Sequence, residues 1–236
     1  MSGMMEIRIF TFNLFQEHTM VVYNGGPACV IIDPGFYEPG EKEQLFGWLE
    51  ANGLVPEAVL LTHGHIDHIT GVKETQDFFG GIPVYMKEED RLELEEDVFI
   101  SRRFGFREPR TDFRYNDVRD GQTIEAAGME FKVITTPGHS PGSVCYLMED
   151  EKILFTGDTL FAGTIGRTDF KYGDYDNEIR SIMEKLIWLA PEITIYPGHG
   201  GTSTIGVERT GNPMLEPFNE KEELEQSLSA DELPHD

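Results

Sequence analysis

Three histidines and an aspartate stand within six positions of the run Thr62-His63-Gly64-His65-Ile66-Asp67-His68-Ile69-Thr70-Gly71. The whole chain has 7 histidines, so this clustering is itself a signal. Neutral imidazoles and carboxylates are good ligands for borderline divalent cations such as zinc. The run is internal and follows the apolar stretch Ala58-Val59-Leu60-Leu61. It therefore reads as a ligand cluster placed where a core strand opens into a loop, rather than as a terminal tag or a loose His-rich tract. Its spacing differs from the His-Glu-x-x-His helical pattern of metalloproteases.

Further ligand-type residues stand in the same kind of place. Thr136-Pro137-Gly138-His139, Thr156-Gly157-Asp158 and Tyr196-Pro197-Gly198-His199 each follow a β-like apolar run. The glycine beside each ligand lets the backbone turn sharply and approach closely. Ligands for one centre must come from strand ends that open on the same sheet edge, where layered α/β proteins place their binding sites. His63, His65, Asp67, His68, His139, Asp158 and His199 are then the candidate ligands. They are too many for one tetrahedral ion and suit a pair of divalent ions. His18 and His235 fall outside the set, and no role is assigned to them.

The elements that must position these residues alternate in kind. Strands are expected at 7–14, 19–23, 29–32, 58–61 and 84–86, and helices at 41–52 and 73–79. Residues 87–97 are acidic and read as helical, and residues 101–116, rich in arginine and without a clear period, read as an insertion or loop. Strands follow at 130–135, 144–148, 153–155 and 193–196, with an amphipathic helix at 175–189. One domain is expected over 1–215, followed by an acidic tail or helix at 216–236.

A chain of 236 residues with 39% hydrophobic content has the material for a large core. Lys plus Arg is 19 against 43 for Asp plus Glu, a net charge of −24. Phosphate backbones and anionic lipid surfaces repel such a chain, so neither a nucleic acid nor a membrane is expected as a partner. Cys29 and Cys145 sit in apolar runs and read as small core hydrophobes. The N-terminal residues lack a basic region followed by a long apolar stretch, and no run approaches the ~18 apolar residues of a membrane span. A cytoplasmic protein is the expectation.

With His63-x-His65-x-Asp67-His68 followed in order by His139, Asp158 and His199, the chain resembles the metallo-β-lactamase superfamily. The resemblance implies an α/β fold of four layers: an αββα sandwich with two mixed sheets inside, helices outside and the metal site at one edge. It implies that His63, His65 and His139 hold one metal and that Asp67, His68 and His199 hold a second, with Asp158 bridging. Within that superfamily the chain is most similar to type II glyoxalases of the short bacterial form. The carrying residues are Gly157-Asp158-Thr159-Leu160-Phe161, Gly163-Thr164-Ile165-Gly166-Arg167-Thr168-Asp169, Thr204-Ile205-Gly206-x-Glu208 and Asn212-Pro213.

This similarity implies a thioesterase of the hydroxyacylglutathione hydrolase type, in which a metal-bridged hydroxide attacks a small-molecule thioester. Zinc is the expected metal, with iron or manganese as other candidates. Asp67 would orient the hydroxide as well as bind metal. Arg167 would contact a substrate carboxylate, its alternative being an ion pair with Asp169. Asp33 is the candidate to fix a histidine tautomer. Gly200-Gly201 stands where the larger glyoxalases carry Glu-Tyr, a tyrosine they use on glutathione. The segment from Gly166 to Phe170 also resembles persulfide dioxygenases, which would place one iron on His63, His139 and Asp158. A lactonase of the same fold is a further alternative.

Overall fold

The computed structural model describes residues 5–104, 107–216 and 218. In chain order the elements are β1 (Glu6–Phe12), β2 (Glu17–Tyr23), β3 (Ala28–Ile32), α1 (Glu41–Ala51), β4 (Val55–Leu60), α2 (Ile66–Ile69), α3 (Val72–Phe78), β5 (Val84–Met86) and α4 (Arg91–Phe104). After them come β6 (Asn116–Asp117), β7 (Thr123–Ala126), β8 (Met129–Thr135), β9 (Val144–Met148), β10 (Ile153–Gly157), β11 (Leu160–Phe161), β12 (Thr164–Ile165), α5 (Tyr175–Ser181), β13 (Thr194–Pro197), β14 (Ser203–Thr204) and α6 (Ile205–Gly211).

Two six-stranded sheets carry the fold, in the orders β1-β2-β3-β4-β5-β6 and β14-β13-β10-β9-β8-β7. Both are mixed. Strands β3 to β6 run parallel to their neighbours, whereas β1 to β3 are antiparallel. In the second sheet only β10 and β13 are a parallel pair. Alternation along single strands builds the layers. Val30 and Ile32 of β3 point into a core shared with Phe131, Tyr146 and Phe155 of the second sheet, while Cys29 and Ile31 face Leu45 and Leu49 of α1. Tyr146 of β9 faces the first sheet, while Cys145 and Leu147 face Ile179, Ile182 and Leu186 in and beyond α5. Because each of these strands is covered on both faces, it reads in sequence as an unbroken apolar run. The expected αββα sandwich is thus formed, and both cysteines are free and buried in it.

Three expectations are corrected. The helix placed at 87–97 is a 3-10 turn over Glu88–Asp90 followed by α4, which runs on to Phe104 and so takes up the first residues of the supposed 101–116 loop. Leu94, Asp97 and Ser101 are all buried at helical spacing, and the helix continues because that face is covered. The helix expected through residue 189 is α-helical only to Ser181 and then widens into a π turn over Ile182–Leu186. Strand β7, the β11–β12 hairpin and helix α6 were not anticipated. The acidic tail expected at 216–236 lies outside the described residues except for Glu216 and Phe218. Among the described residues no helix is long and apolar enough to cross a membrane.

Candidate metal centre

Loops at one end of the two sheets bring all seven candidate ligands together. His63, His65 and His139 form one cluster, Asp67, His68 and His199 another, and Asp158 joins His63 and His68 between them. The first-sheet ligands follow β4, in an extended segment that runs into the short helix α2. His139 follows β8, Asp158 follows β10 and His199 follows β13. Two glycines are needed for the approach. A side chain at Gly198 would run into Asp158 Oδ1 and His68 Cε1. A β-carbon at Gly157 would run into the Thr62 side chain, and its φ of +50 also favours glycine.

Buried carboxylates lace these loops together. Asp90 accepts from Gly64 N at 2.7 Å, Ser140 Oγ at 2.8 Å and Gly142 N at 2.5 Å, tying the His63–His65 segment to the His139 loop. Burial outweighs these hydrogen bonds and raises its carboxyl to about 6. Glu178 of α5 accepts from His139 N at 2.8 Å, and burial raises it to about 8. His18, to which no role was assigned, places Nδ1 3.2 Å from Pro197 O and donates its backbone N–H to Gly198 O, so it ties β2 to the His199 loop.

The hydrogen bonds on the outer side of each imidazole set its tautomer. His139 Nδ1 meets Arg167 O at 2.7 Å and His199 Nδ1 meets Phe15 O at 3.0 Å. A carbonyl only accepts, so both Nδ1 atoms carry the proton and both Nε2 atoms are lone pairs. His68 Nδ1 lies 3.0 Å from Asp33 Oδ2, which puts its proton there too. Asp33 also takes Thr62 N at 2.7 Å and Thr62 Oγ1 at 2.6 Å. Thr62 Oγ1, its own proton so engaged, accepts from His63 Nδ1 at 3.1 Å. His65 faces Glu93 Oε2 through Nε2 at 3.6 Å, leaving Nδ1 as its lone pair.

With every imidazole neutral, the inward atoms are lone pairs or carboxylate oxygens, and they face one another. His65 Nδ1 is 2.9 Å from His139 Nε2, and His68 Nε2 is 3.3 Å from His199 Nε2, so each pair needs a proton or a cation between its nitrogens. His63 Nε2 is buried without a partner, as is Asp158 Oδ1. Asp158 Oδ2 stands 3.6 Å from His139 Nε2 and 3.5 Å from His199 Nε2, while its Oδ1 is 3.5 Å from His68 Nε2, so the carboxylate spans the two clusters. Asp67 Oδ2 is 3.2 Å from His199 Nε2. Such a donor set fits two divalent cations.

The electrostatics divide the ligands: burial works to lower His65 and His199, but Glu93 at His65 and Asp67 and Asp158 at His199 outweigh it and raise them, a charge that a bound cation would replace. Burial drives the His63 and His139 imidazoles well below their ordinary range, keeping them neutral. At His68 burial is outweighed by Asp67, Asp158 and Asp33, which raise it, and the same carboxylates would stabilise a metal cation in a proton's place. Burial works to raise Asp67, but His68 and His199 outweigh it and hold the carboxyl low.

The clusters open into a cavity of about 840 Å³ walled by Phe15, Ile66, Phe161, Ile165 and Phe170 and by one face of α4. Phe15, 55% exposed, stands with Leu14 at the tip of the β1–β2 hairpin. Arg167 lines the cavity, forms a two-point ion pair with Asp169 at 2.9 and 2.8 Å, and lies over the Phe170 ring. The β11–β12 hairpin, which lines the cavity, is braced by Glu208 of α6, a residue that carried family resemblance without an assigned role. It is 1% exposed and accepts from Gly163 N and Asn212 Nδ2, each at 2.8 Å, and from Ser203 Oγ. A Glu208→Ala variant leaves these donors unpaired, and a loss of about 2–4 kcal/mol is expected in urea unfolding. An unchanged midpoint would mean that the knot contributes nothing.

An αββα sandwich with imidazole and carboxylate clusters at one edge defines a metal-centred α/β protein. A family model described as the metallo-beta-lactamase superfamily matches residues 13–199. The hydroxyacylglutathione hydrolase GloC of Haemophilus influenzae is 36% identical over 214 residues, covering 89% of this chain and 98% of that protein. The crystal structure of BLEG-1, a B3 metallo-β-lactamase, superposes with TM-score 0.81 at 37% identity, covering 89% of this chain and 99% of the other. The protein TTHA1623, solved in a di-iron-bound form, gives TM-score 0.77 at 33% identity over 88% of this chain and 100% of its own. The chain belongs to the metallo-β-lactamase superfamily.

Proposed function

We propose that this chain is a binuclear metallohydrolase that cleaves thioesters, of the hydroxyacylglutathione hydrolase type. The observation that carries the binuclear reading is the pairing of lone pairs in both clusters, His65 against His139 and His68 against His199. A single iron on His63, His139 and Asp158 would leave the His68–His199 pair without a counter-cation. The thioester specificity is supported by the similarity to the Haemophilus hydrolase and by a cavity of small-molecule size with apolar walls.

Two divalent cations at such a site supply a water of lowered pKa as nucleophile and a Lewis acid for the acyl oxygen. The chain's own residues do the rest. Asp67, held ionised, accepts a hydrogen bond from the attacking water and orients it. Phe15, Phe161 and Phe170 exclude bulk solvent from the acyl group. Arg167 at the mouth can exchange Asp169 for a substrate carboxylate. The C–S bond breaks as the water oxygen joins the acyl carbon, and the thiol leaves with a proton from that water.

Elemental analysis of the purified chain with a panel of acyl thioesters tests this. The expected result is a pair of zinc, iron or manganese ions per chain and turnover lost on chelation. One iron per chain with oxygen uptake on a persulfide would replace this reading. Full turnover after complete chelation would end it.

A further inference from the structure

Asp90 belongs to neither of the loops that carry His63, His65 and His139, yet it bonds to both. It ends the turn Glu88–Asp90 ahead of α4 and is fully buried. It is no member of the ligand clusters found among the described residues. One of its atoms, Oδ2, accepts from Gly64 N at 2.7 Å and from Ser140 Oγ at 2.8 Å. Gly64 lies between His63 and His65, and Ser140 follows His139. Oδ1 takes Gly142 N, from the same second loop, at 2.5 Å. Both loops are built to come this near. A β-carbon at Gly64 would stand 2.9 Å from Asp90 O, and one at Gly142 would stand 2.7 Å from Asp90 Cγ, nearer than non-bonded atoms pack.

Each loop also has an anchor of its own. Thr62 is held by Asp33 at the end of β3, and His139 N by Glu178 of α5. A backbone bond from Val144 N to Thr62 O joins the two loops at their roots. Asp90 joins them at the ligands. Neither loop can draw away there without losing a charge-assisted bond to the same oxygen. The spacing so held is that of His63 and His65 against His139, whose facing nitrogens on His65 and His139 are 2.9 Å apart. The carboxylate bonds go to Gly64, Ser140 and Gly142, and to no ligand of the Asp67, His68 and His199 cluster. We infer that Asp90 is a positioning residue for one metal of the pair: it sets the spacing of His63 and His65 against His139, and through it the affinity of that cluster alone. The inference rests on the binuclear reading, and its test separates the two.

Metal-free protein is titrated with zinc and followed by calorimetry. Wild type is expected to take two ions. The amide in Asp90→Asn keeps the shape but has one accepting oxygen, so in either orientation its NH₂ group opposes a backbone N–H of one loop. Asp90→Asn is expected to weaken one ion by about 10–100-fold, the range for outer partners of metal ligands, and to leave the other within about twofold. In His65→Ala the remaining ion belongs to the Asp67, His68 and His199 cluster, and there the same change is expected to have no effect. Gln76→Ala is the control for lost stability. Gln76 is 7% exposed, bonds to Arg114 N and O, and bonds to neither loop, so its removal loosens the fold and leaves both affinities in place.

Equal affinities in wild type and Asp90→Asn overturn the inference. So does a loss shared by both ions, a loss that persists in His65→Ala, or the same loss in Gln76→Ala. Each of these leaves the binuclear reading intact. A single ion in wild type removes the binuclear reading. The role of Asp90 then stands if Asp90→Asn weakens that ion and Gln76→Ala does not, and falls otherwise. Wild type that binds no zinc removes both. Should Asp90→Asn fail to fold, Ser140→Ala decides. It removes one bond to Oδ2 and is expected to weaken the same ion about threefold, and unchanged affinity in it overturns the inference.

Discussion

A His65→Ala variant is expected to lose thioester turnover by roughly a thousandfold, because the metal pair contributes several kcal/mol to the barrier. Metal content should fall with it, from two ions per chain to one. His65 has one inward lone pair, Nδ1, 2.9 Å from His139 Nε2, and its ring is held from behind by Glu93. Alanine removes that lone pair and leaves Glu93 buried without its imidazole partner. His63 and His139 alone do not make a four-ligand site. The Asp67, His68 and His199 cluster keeps its members and should retain an ion. Elemental analysis and turnover measured on the same preparation check this together. Unchanged metal content with retained turnover would contradict the proposed centre.

The ligands were legible in the sequence for a physical reason. A metal site must be assembled from strand ends on one edge, and each such end announces itself as an apolar run, a glycine and a ligand-type residue. The layers were legible because strands buried on both faces are continuous apolar runs, as residues 58–61 and 144–148 are. Asp33, expected to fix a histidine tautomer, does stand on His68 Nδ1.

What stayed hidden was polar burial. Asp90, Glu93, Asp97 and Ser101 form a buried stripe on α4 and the turn before it, yet an acidic segment reads as solvated. Glu178 and Glu208 were hidden for the same reason, since hydropathy does not distinguish a carboxylate in water from one holding backbone N–H groups. The six residues 160–165 gave no period from which a hairpin could be read, and the carbonyls of Phe15 and Arg167, which orient His199 and His139, belong to backbone that no side-chain pattern reports.

Asp33→Asn isolates the tautomer argument from the ligands themselves. Asp33 is 1% exposed and has φ +48, a conformation that asparagine adopts as readily, so the backbone is not strained by the change. As a carboxylate it only accepts, and it does so from Thr62 N, Thr62 Oγ1 and His68 Nδ1. An amide has one accepting oxygen. If that oxygen keeps Thr62 N, the NH₂ group faces His68 Nδ1, which must then give up its proton to Nε2. That proton would point into the space shared with Asp67, Asp158 and His199, where a cation belongs. If the amide flips, NH₂ opposes Thr62 N–H, and the loop carrying His63 loses its anchor. Either way affinity for the ion at His68 is expected to fall by about 10–100-fold, the range seen when such outer partners of metal-binding histidines are removed. Turnover should fall at limiting metal and recover in part as metal is raised, a rescue that unfolding would not permit. Titration of metal-free protein with zinc, followed by calorimetry, measures the affinity directly. An affinity equal to wild type would show that Asp33 serves the Thr62 loop alone and leaves the His68 tautomer to other groups.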